Sequence, residues 1–201
     1  KTTITDLMST SRVIDLVSSS GFALEGYPHR ALFSIPFVGL NDEGLPMIIN
    51  EKGEVTTTDI NFQEFQNTSF LKYEGPTEPT TTGGLNNMFR YKNWRLNVFV
   101  TYSFGNKLRL DPVFAAGYSD MSAMPKEFKN RWVMPGDEKY TDIPTIASVR
   151  QYYNDNQLSF AYNAYNYSSA RVADGGFIRL KNVSLTYDIP KTFLAKIGLN
   201  T

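Results

Sequence analysis

The stretch WRLNVFVTYSF, residues 94–104, places Trp94, Leu96, Val98, Val100, Tyr102 and Phe104 on one side of an extended chain. Arg95, Asn97, Phe99, Thr101 and Ser103 fall on the other. A period of two marks a β-strand, because successive side chains leave opposite faces of the backbone. At about 3.3 Å per residue the stretch is about 33 Å long. Tilted by about 40° it stands about 25 Å high, the height of the apolar band on an outer-membrane barrel, and its terminal aromatic rings match the two interfacial girdles of such a band. The competing reading is a strand of a β-sandwich, with one face in a protein core and one in water. Strands there typically run about 5–6 residues, about half this length. The two readings bury the same residues and differ in what buries them: hydrocarbon or protein.

The neighbouring segments bear on that choice. LNNMFRYK, 85–92, alternates Leu85, Asn87, Phe89 and Tyr91 against Asn86, Met88, Arg90 and Lys92, and Lys92-Asn93 is short enough to close a hairpin onto 94–104. The segment GFIRLKNVSLTYDI reads as a further strand over 177–189. Val183, Leu185, Tyr187 and Ile189 share one parity, while Ile178 and Leu180 have the other. One extra residue near Lys181-Asn182, a β-bulge, would put both sets on one face. Between these strands, residues 106–170 hold no sustained period and several prolines. A span of that length without structure is unusual in a compact soluble domain, but long outer loops and short inner turns are the asymmetry of a membrane barrel. With that asymmetry the balance tips to lipid. The predicted lipid-facing set is Trp94, Leu96, Val98, Val100, Tyr102, Phe104, Val183, Leu185, Tyr187 and Ile189.

Elsewhere the reading is coarser. Residues 1–20 fit a helical stripe or a strand. Residues 21–40 read as extended with breaks at Gly and Pro. Met47–Ile49, a turn over 51–54 and Val55–Thr57 form a short hairpin. Residues 59–82 are polar, with EGPTEPTTTGG a loop. Pro190 ends the last strand, and KTFLAKIGL could make one or two helical turns. The chain starts in mid-pattern and stops after a turn-like segment, so a piece of a longer protein is expected.

Composition excludes several functions. Lys plus Arg equals Asp plus Glu at 20 each, so there is no basic footprint for nucleic acid. There is no cysteine, and His29 is the single histidine, which removes His-based triads and multi-His metal sites within the chain. GYSDM, 117–121, lacks the final glycine of a nucleophile elbow. NDNQ, 154–157, and GDEKYTD, 136–142, lack Ca²⁺-loop spacing. The pairs Asp42-Glu43 and Asp137-Glu138 have nothing to set them across a substrate. No enzyme activity, cofactor or metal is expected. Trp132, Tyr152, Tyr153, Tyr162 and Tyr165 are the candidates for contact with a ligand or a lid, against a reading in which these rings simply pack the loop together.

The blocks FRYKNWRLNVFVTYSFGNK, EFKNRWVMPGDEKYTDIP and GGFIRLKNVSLTYDIPKTFLAKIGL, with EGYPHRALFSIPFVGLNDEGLPMIINEKGE upstream, resemble the C-terminal part of SusC/RagA-type TonB-dependent transporters. The resemblance runs in order from about residue 21. It implies an all-β fold in which residues 1–201 are an incomplete, antiparallel transmembrane β-barrel wall, an open curved sheet in isolation, with 106–170 a long extracellular loop. It also implies a place in the cell outer membrane among its lipids, a SusD-like surface lipoprotein as lid, TonB engaged through a missing N-terminal part, and an oligosaccharide or peptide as cargo. A fragment of this kind is expected not to function alone. The alternative is a soluble or surface-attached β-sandwich that binds glycans, in which Leu96, Val98 and Val100 would touch a second layer.

Overall fold

The computed structural model describes residues 3–5, 11–113, 125–190 and 193–194. In chain order the elements are α1 (Val13–Ser18), β1 (Ala31–Ser34), β2 (Phe37–Leu40), β3 (Pro46–Ile49), β4 (Val55–Thr56), β5 (Lys72–Pro76), β6 (Thr81–Tyr91), β7 (Trp94–Phe104), β8 (Lys107–Arg109), α2 (Val149–Asn154), α3 (Leu158–Asn166), β9 (Val172–Asp174) and β10 (Phe177–Tyr187). They divide into two units. One comprises Lys1–Glu78 with Asn106–Asp174, the other Pro79–Gly105 with Gly175–Thr201.

The second unit is an antiparallel sheet in the order β10-β7-β6. Its central strand coincides with the period-two stretch, and β6 joins it through Lys92-Asn93, with Tyr91 opposite Trp94. Lys92 has a φ of 52°, the positive value that a two-residue hairpin turn requires at a central position. The register of β10 against β7 slips between Leu180 and Asn182. This is the bulge the parity change called for. Leu180 pairs with Val100 and Ile178 with Tyr102, while Val183 pairs with Val98. Both halves of β10 therefore present their apolar side chains on the face that carries Leu96, Val98 and Val100. The strand β6 begins at Thr81, four residues inside the expected loop, because Gly83 and Gly84 are ladder residues opposite Tyr102 and Thr101.

The first unit is held by two apolar clusters. One joins Val13, Leu16 and Val17 of α1 to Ala31, Phe33, Ile35, Ile48, Ile60 and Leu71, and Ala164 of α3 reaches it. The other gathers Val113, Phe128, Ala147, Leu158, Tyr162 and Tyr165. The helix α3 thus contributes to both, and Ala161 and Ala164 on it are fully buried. The sequence shows no sustained period over 106–170, yet the described residues of that span contain α2, α3 and short 3₁₀ turns packed on a core. The helices run only 6 and 9 residues, too few turns for a 3.6-residue period to stand out. Residues 1–20 resolve in favour of a helix over Val13–Ser18. The GYSDM segment and most of KTFLAKIGL lie outside the described residues.

The excursion from 106 to 174 is closed at its base. Strand β8 pairs with β9, Lys107 opposite Asp174 and Arg109 opposite Val172. Arg109 donates to the Phe33 carbonyl and lies over the Tyr167 ring at 5.7 Å. Burial pushes its pKa down to about 10, which still leaves it charged at neutral pH. Arg171 is 4% exposed. It donates to Glu127 Oε2 at 2.7 Å and to the Asp111 carbonyl at 2.8 Å. A buried guanidinium that loses its partners is strongly unfavourable, and so is the reverse case, in which its acceptors are stranded. Arg171→Leu is therefore expected to destabilise this unit by about 3 kcal/mol. The measurement is amide hydrogen exchange, with protection lost across 158–174 and retained in β7.

Candidate functional site

Two surfaces could carry function, one in each unit. The first is the apolar face of the sheet. Across it run the rows Tyr91–Trp94–Tyr187, Phe89–Leu96–Leu185 and Leu85–Val100–Leu180. Asn87 is its one amide, opposite Val98. The rings of Trp94 and Tyr187 lie 4.6 Å apart at the turn end, and those of Tyr102 and Phe104 stack at 5.8 Å at the other. Leu96, Val98 and Val100 on the central strand are half-exposed. Leu85, Phe89, Leu180 and Leu185 on the flanking strands are each about 60% exposed. None of the ten residues expected to face lipid belongs to either core cluster. On the opposite face Arg95 pairs with Asp188 at 2.6 Å, which offsets the repulsion from Arg90 directly across the ladder.

The second surface is a cleft of about 590 Å³ in the first unit, within the range of small-molecule pockets. Three segments meet there. The turn GLNDEGLP is wound around Asn41, whose Oδ1 accepts from the backbone N–H of Glu43 and Leu45 at 3.1 and 2.8 Å. This turn projects Asp42 and Glu43 into solvent at the cleft and leaves Gly44 in the left-handed region, with φ at +75°. The second segment supplies Trp132. Its indole lies so close on Gly44 that a Cβ there would fall 2.5 Å from Cε3. The indole N–H donates to Glu138 Oε2 at 3.2 Å, and the Trp132 backbone N–H donates to the Ile143 carbonyl at 2.9 Å. The Gly44 carbonyl in turn accepts from Thr145 N–H at 2.9 Å. The third segment, α2 and α3, brings Gln151, Asn154, Asp155, Leu158 and Tyr162. The Tyr162 hydroxyl donates to the Thr145 carbonyl at 3.0 Å and accepts from Ala147 N–H at 3.2 Å, which ties this wall to the second.

The Glu138 carboxylate accepts from Gly136 N–H at 2.7 Å as well as from the indole. Hydrogen bonds from its own backbone N–H, from that of Gly136 and from Trp132 hold its pKa below the ordinary glutamate value. Asp137 Oδ2 accepts from Val133 and Met134 N–H, both at 3.0 Å, and so shapes the same turn. Among the described residues no group of three His, Cys, Asp or Glu is placed to hold a metal.

The ligand candidates from the sequence separate in space. Trp132 and Tyr162 line the cleft together. Tyr165 is 2% exposed within the second core, edge-on to Phe37 at 5.7 Å, and burial pushes its hydroxyl up to about 12. Its ring is taken up by packing. Tyr153 is 84% exposed and does not line the cleft, and the Tyr152 side chain lies outside the described residues. Asp42, Glu43 and Asp155, which no feature of the sequence brings together, sit on the cleft. Each occurs in a plain turn sequence, and only the distant contact of Gly44 with Trp132 gathers them.

No family model matches the chain. Among curated proteins it is similar to TonB-dependent receptor P3 of Formosa agariphila, with 30% identity over 153 residues, which is 76% of this chain and 12% of that receptor. It is also similar to TonB-dependent receptor P39 of the same organism, with 29% identity over 119 residues, 58% of this chain and 10% of that receptor. The chain thus spans about an eighth or less of the length of these relatives. Among solved structures it is similar to a chain of the RagAB peptide importer in its closed-closed state, with a TM-score of 0.54 over 85% of this chain and 17% of that one. At 20% identity that last likeness is one of fold.

Two outcomes follow for the Trp132 wall, both read in a Trp94→Phe background that leaves Trp132 as the reporter within this chain. Gly44→Ala adds a Cβ where the indole now lies and strains a left-handed backbone, at about 1–3 kcal/mol; the expected readout is a red-shifted, more quenchable Trp132 emission. Because the Glu138 pKa is depressed, the contribution of its carboxylate is present above the ordinary value of about 4.3 and lost as pH falls through the lower folded value. The same emission should hold steady above about pH 5 and shift only in acid, and Glu138→Gln should abolish that acid step.

Proposed function

We propose that this chain, a SusC/RagA-like piece of TonB-dependent receptor type in sequence and fold, supplies wall strands and outer loops to an outer-membrane importer. The observation that carries this reading is the sheet β10-β7-β6, with strands of 11 residues and an uncovered apolar face. Strands of that length, tilted, span the apolar band. The outer edges of β6 and β10 carry unpaired backbone groups, which hydrocarbon does not tolerate. Further strands of the parent receptor would pair them and close the wall.

With Lys92-Asn93 as the inner turn, β7 would run outward and the segment that follows it would be extracellular. There it would meet a SusD-like lipoprotein lid and the cargo, a glycan or a peptide. Energy would arrive from TonB through a part of the receptor beyond these residues. Trp94, Leu96, Val98, Val100, Tyr102, Phe104, Val183, Leu185, Tyr187 and Ile189 would touch lipid, and Arg95, Asn97, Thr101 and Ser103 the lumen.

Two arginine substitutions on the same strand test the assignment. Val98→Arg puts a charge on the lipid face and should destabilise the folded wall by about 2–4 kcal/mol, whereas Thr101→Arg on the lumen face should be close to neutral. The readout is the yield of heat-modifiable barrel in outer-membrane fractions. Equal tolerance of the two substitutions would remove the lipid assignment.

A further inference from the structure

We propose that the cleft beside Trp132 recognises a cationic side chain, a lysine ammonium or an arginine guanidinium, carried on a peptide. This rests on the importer reading and narrows its cargo. Of the residues lining the cleft, Asp42, Glu43 and Asp155 are acidic and none is Lys, Arg or His. Several other carboxylates of this unit form ion pairs: Asp15 with Arg12, Asp59 with Lys52, Glu74 with Lys72 and Asp174 with Lys107. The three cleft carboxylates take no part in such pairs among the described residues. A concave surface lined by one sign of charge focuses its field outward and concentrates ligands of the opposite sign.

The aromatic wall fits the same ligand. Trp132 is held on three sides: Gly44 against its ring, Glu138 on its N–H, and the Ile143 carbonyl on its backbone. An indole fixed in this way loses little freedom on binding, and indole is the best of the aromatic partners for a cation. Glu138 behind the ring adds negative charge that does not depend on the ligand. A neutral sugar could stack on the same ring, but it would leave Asp42 and Glu43 unanswered, and an acidic sugar would be repelled by them. The volume admits one or two side chains rather than a whole oligomer, so the cleft reads a single basic residue within a longer peptide.

The test is calorimetry on the receptor carrying these residues, purified in detergent. The probes are blocked Ala-Arg-Ala-Ala, blocked Ala-Glu-Ala-Ala and a neutral cello-oligosaccharide. The arginine peptide is expected to bind at least about tenfold tighter than either other probe, with affinity falling as salt rises. The double substitution Asp42→Asn with Glu43→Gln leaves backbone hydrogen bonds of the turn untouched and should weaken the arginine peptide about tenfold while flattening its salt dependence. Equal binding of the three probes, no binding of the arginine peptide, preference for the oligosaccharide, or indifference to the double substitution would each overturn the proposal. Membrane fractionation of the same preparation separates the two ideas. A receptor found in the outer membrane that fails the calorimetry removes the cationic pocket alone, whereas one that fractionates as soluble removes the importer reading as well.

Discussion

The backbone of β7 must be hydrogen-bonded on both sides, and everything else in the chain is arranged around that requirement. One side is met locally, by β6 across a two-residue turn. The other is met by β10, which begins at Phe177, more than 70 residues after β7 ends at Phe104. The intervening chain is therefore compelled to leave and return at one end of the same ladder. The pairing of β8 with β9 makes that return local, and the hydrogen bond from Leu110 N–H to the Arg171 carbonyl extends the closure by one step. A long unstructured loop would meet the same constraint at an entropic penalty that grows only slowly with length. What the described residues of this span do instead is fold, building the second core and lending Ala164 to the first.

Within the sheet, glycine and aromatic residues solve a packing problem together. A Cβ on Gly83 would sit 2.4 Å from the Tyr102 hydroxyl, and one on Gly84 would sit 3.1 Å from the Phe99 ring. The two glycines face opposite sides, so each face of β7 can lay one large ring across its neighbour. This explains why a Gly-Gly pair stands inside a strand, where each glycine lowers intrinsic strand stability. The bulge at Lys181 acts likewise on the other flank. It keeps the apolar side chains of β10 on one face through a change of parity that would otherwise put Ser184 and Thr186 on the face of Ile178 and Leu180.

How much was legible in the sequence depended on the range of the interactions that decide each part. The limits of β7, the tight turn at Lys92-Asn93, the bulge and the Met47–Thr57 hairpin are all set by alternation and turn chemistry within about ten residues, and all can be read directly. The start of β6 could not, because TTGG looks like a turn until Tyr102 and Phe99 supply the reason for its glycines. The hairpin turn after β3 hides a second case. Asn50 is fully buried and accepts from Lys52 and Glu54 N–H at 3.0 and 2.9 Å while donating to the Asp59 carbonyl at 3.1 Å. Nothing in NEKGE distinguishes that asparagine from an exposed one. The candidate cleft is the extreme case: Gly44 and Trp132 are nearly 90 residues apart in the chain.

That difference in range has a functional counterpart. Lipid asks only for a repeated apolar side chain at the right height, a demand any strand can satisfy one residue at a time. A surface of that kind is written in local pattern and tolerates exchange among apolar residues. Recognition of a defined ligand asks for a fixed ring beside fixed charges, which no single segment of this chain can provide. The cleft draws on a turn, the segment that carries Trp132 and two helices, tied by hydrogen bonds from Thr145 N–H to the Gly44 carbonyl, from the Tyr162 hydroxyl to the Thr145 carbonyl and from Trp132 N–H to the Ile143 carbonyl. The period-two sheet and the cleft are thus decided at different ranges of the same chain, the one by alternation within a strand and the other by contacts between segments nearly 90 residues apart.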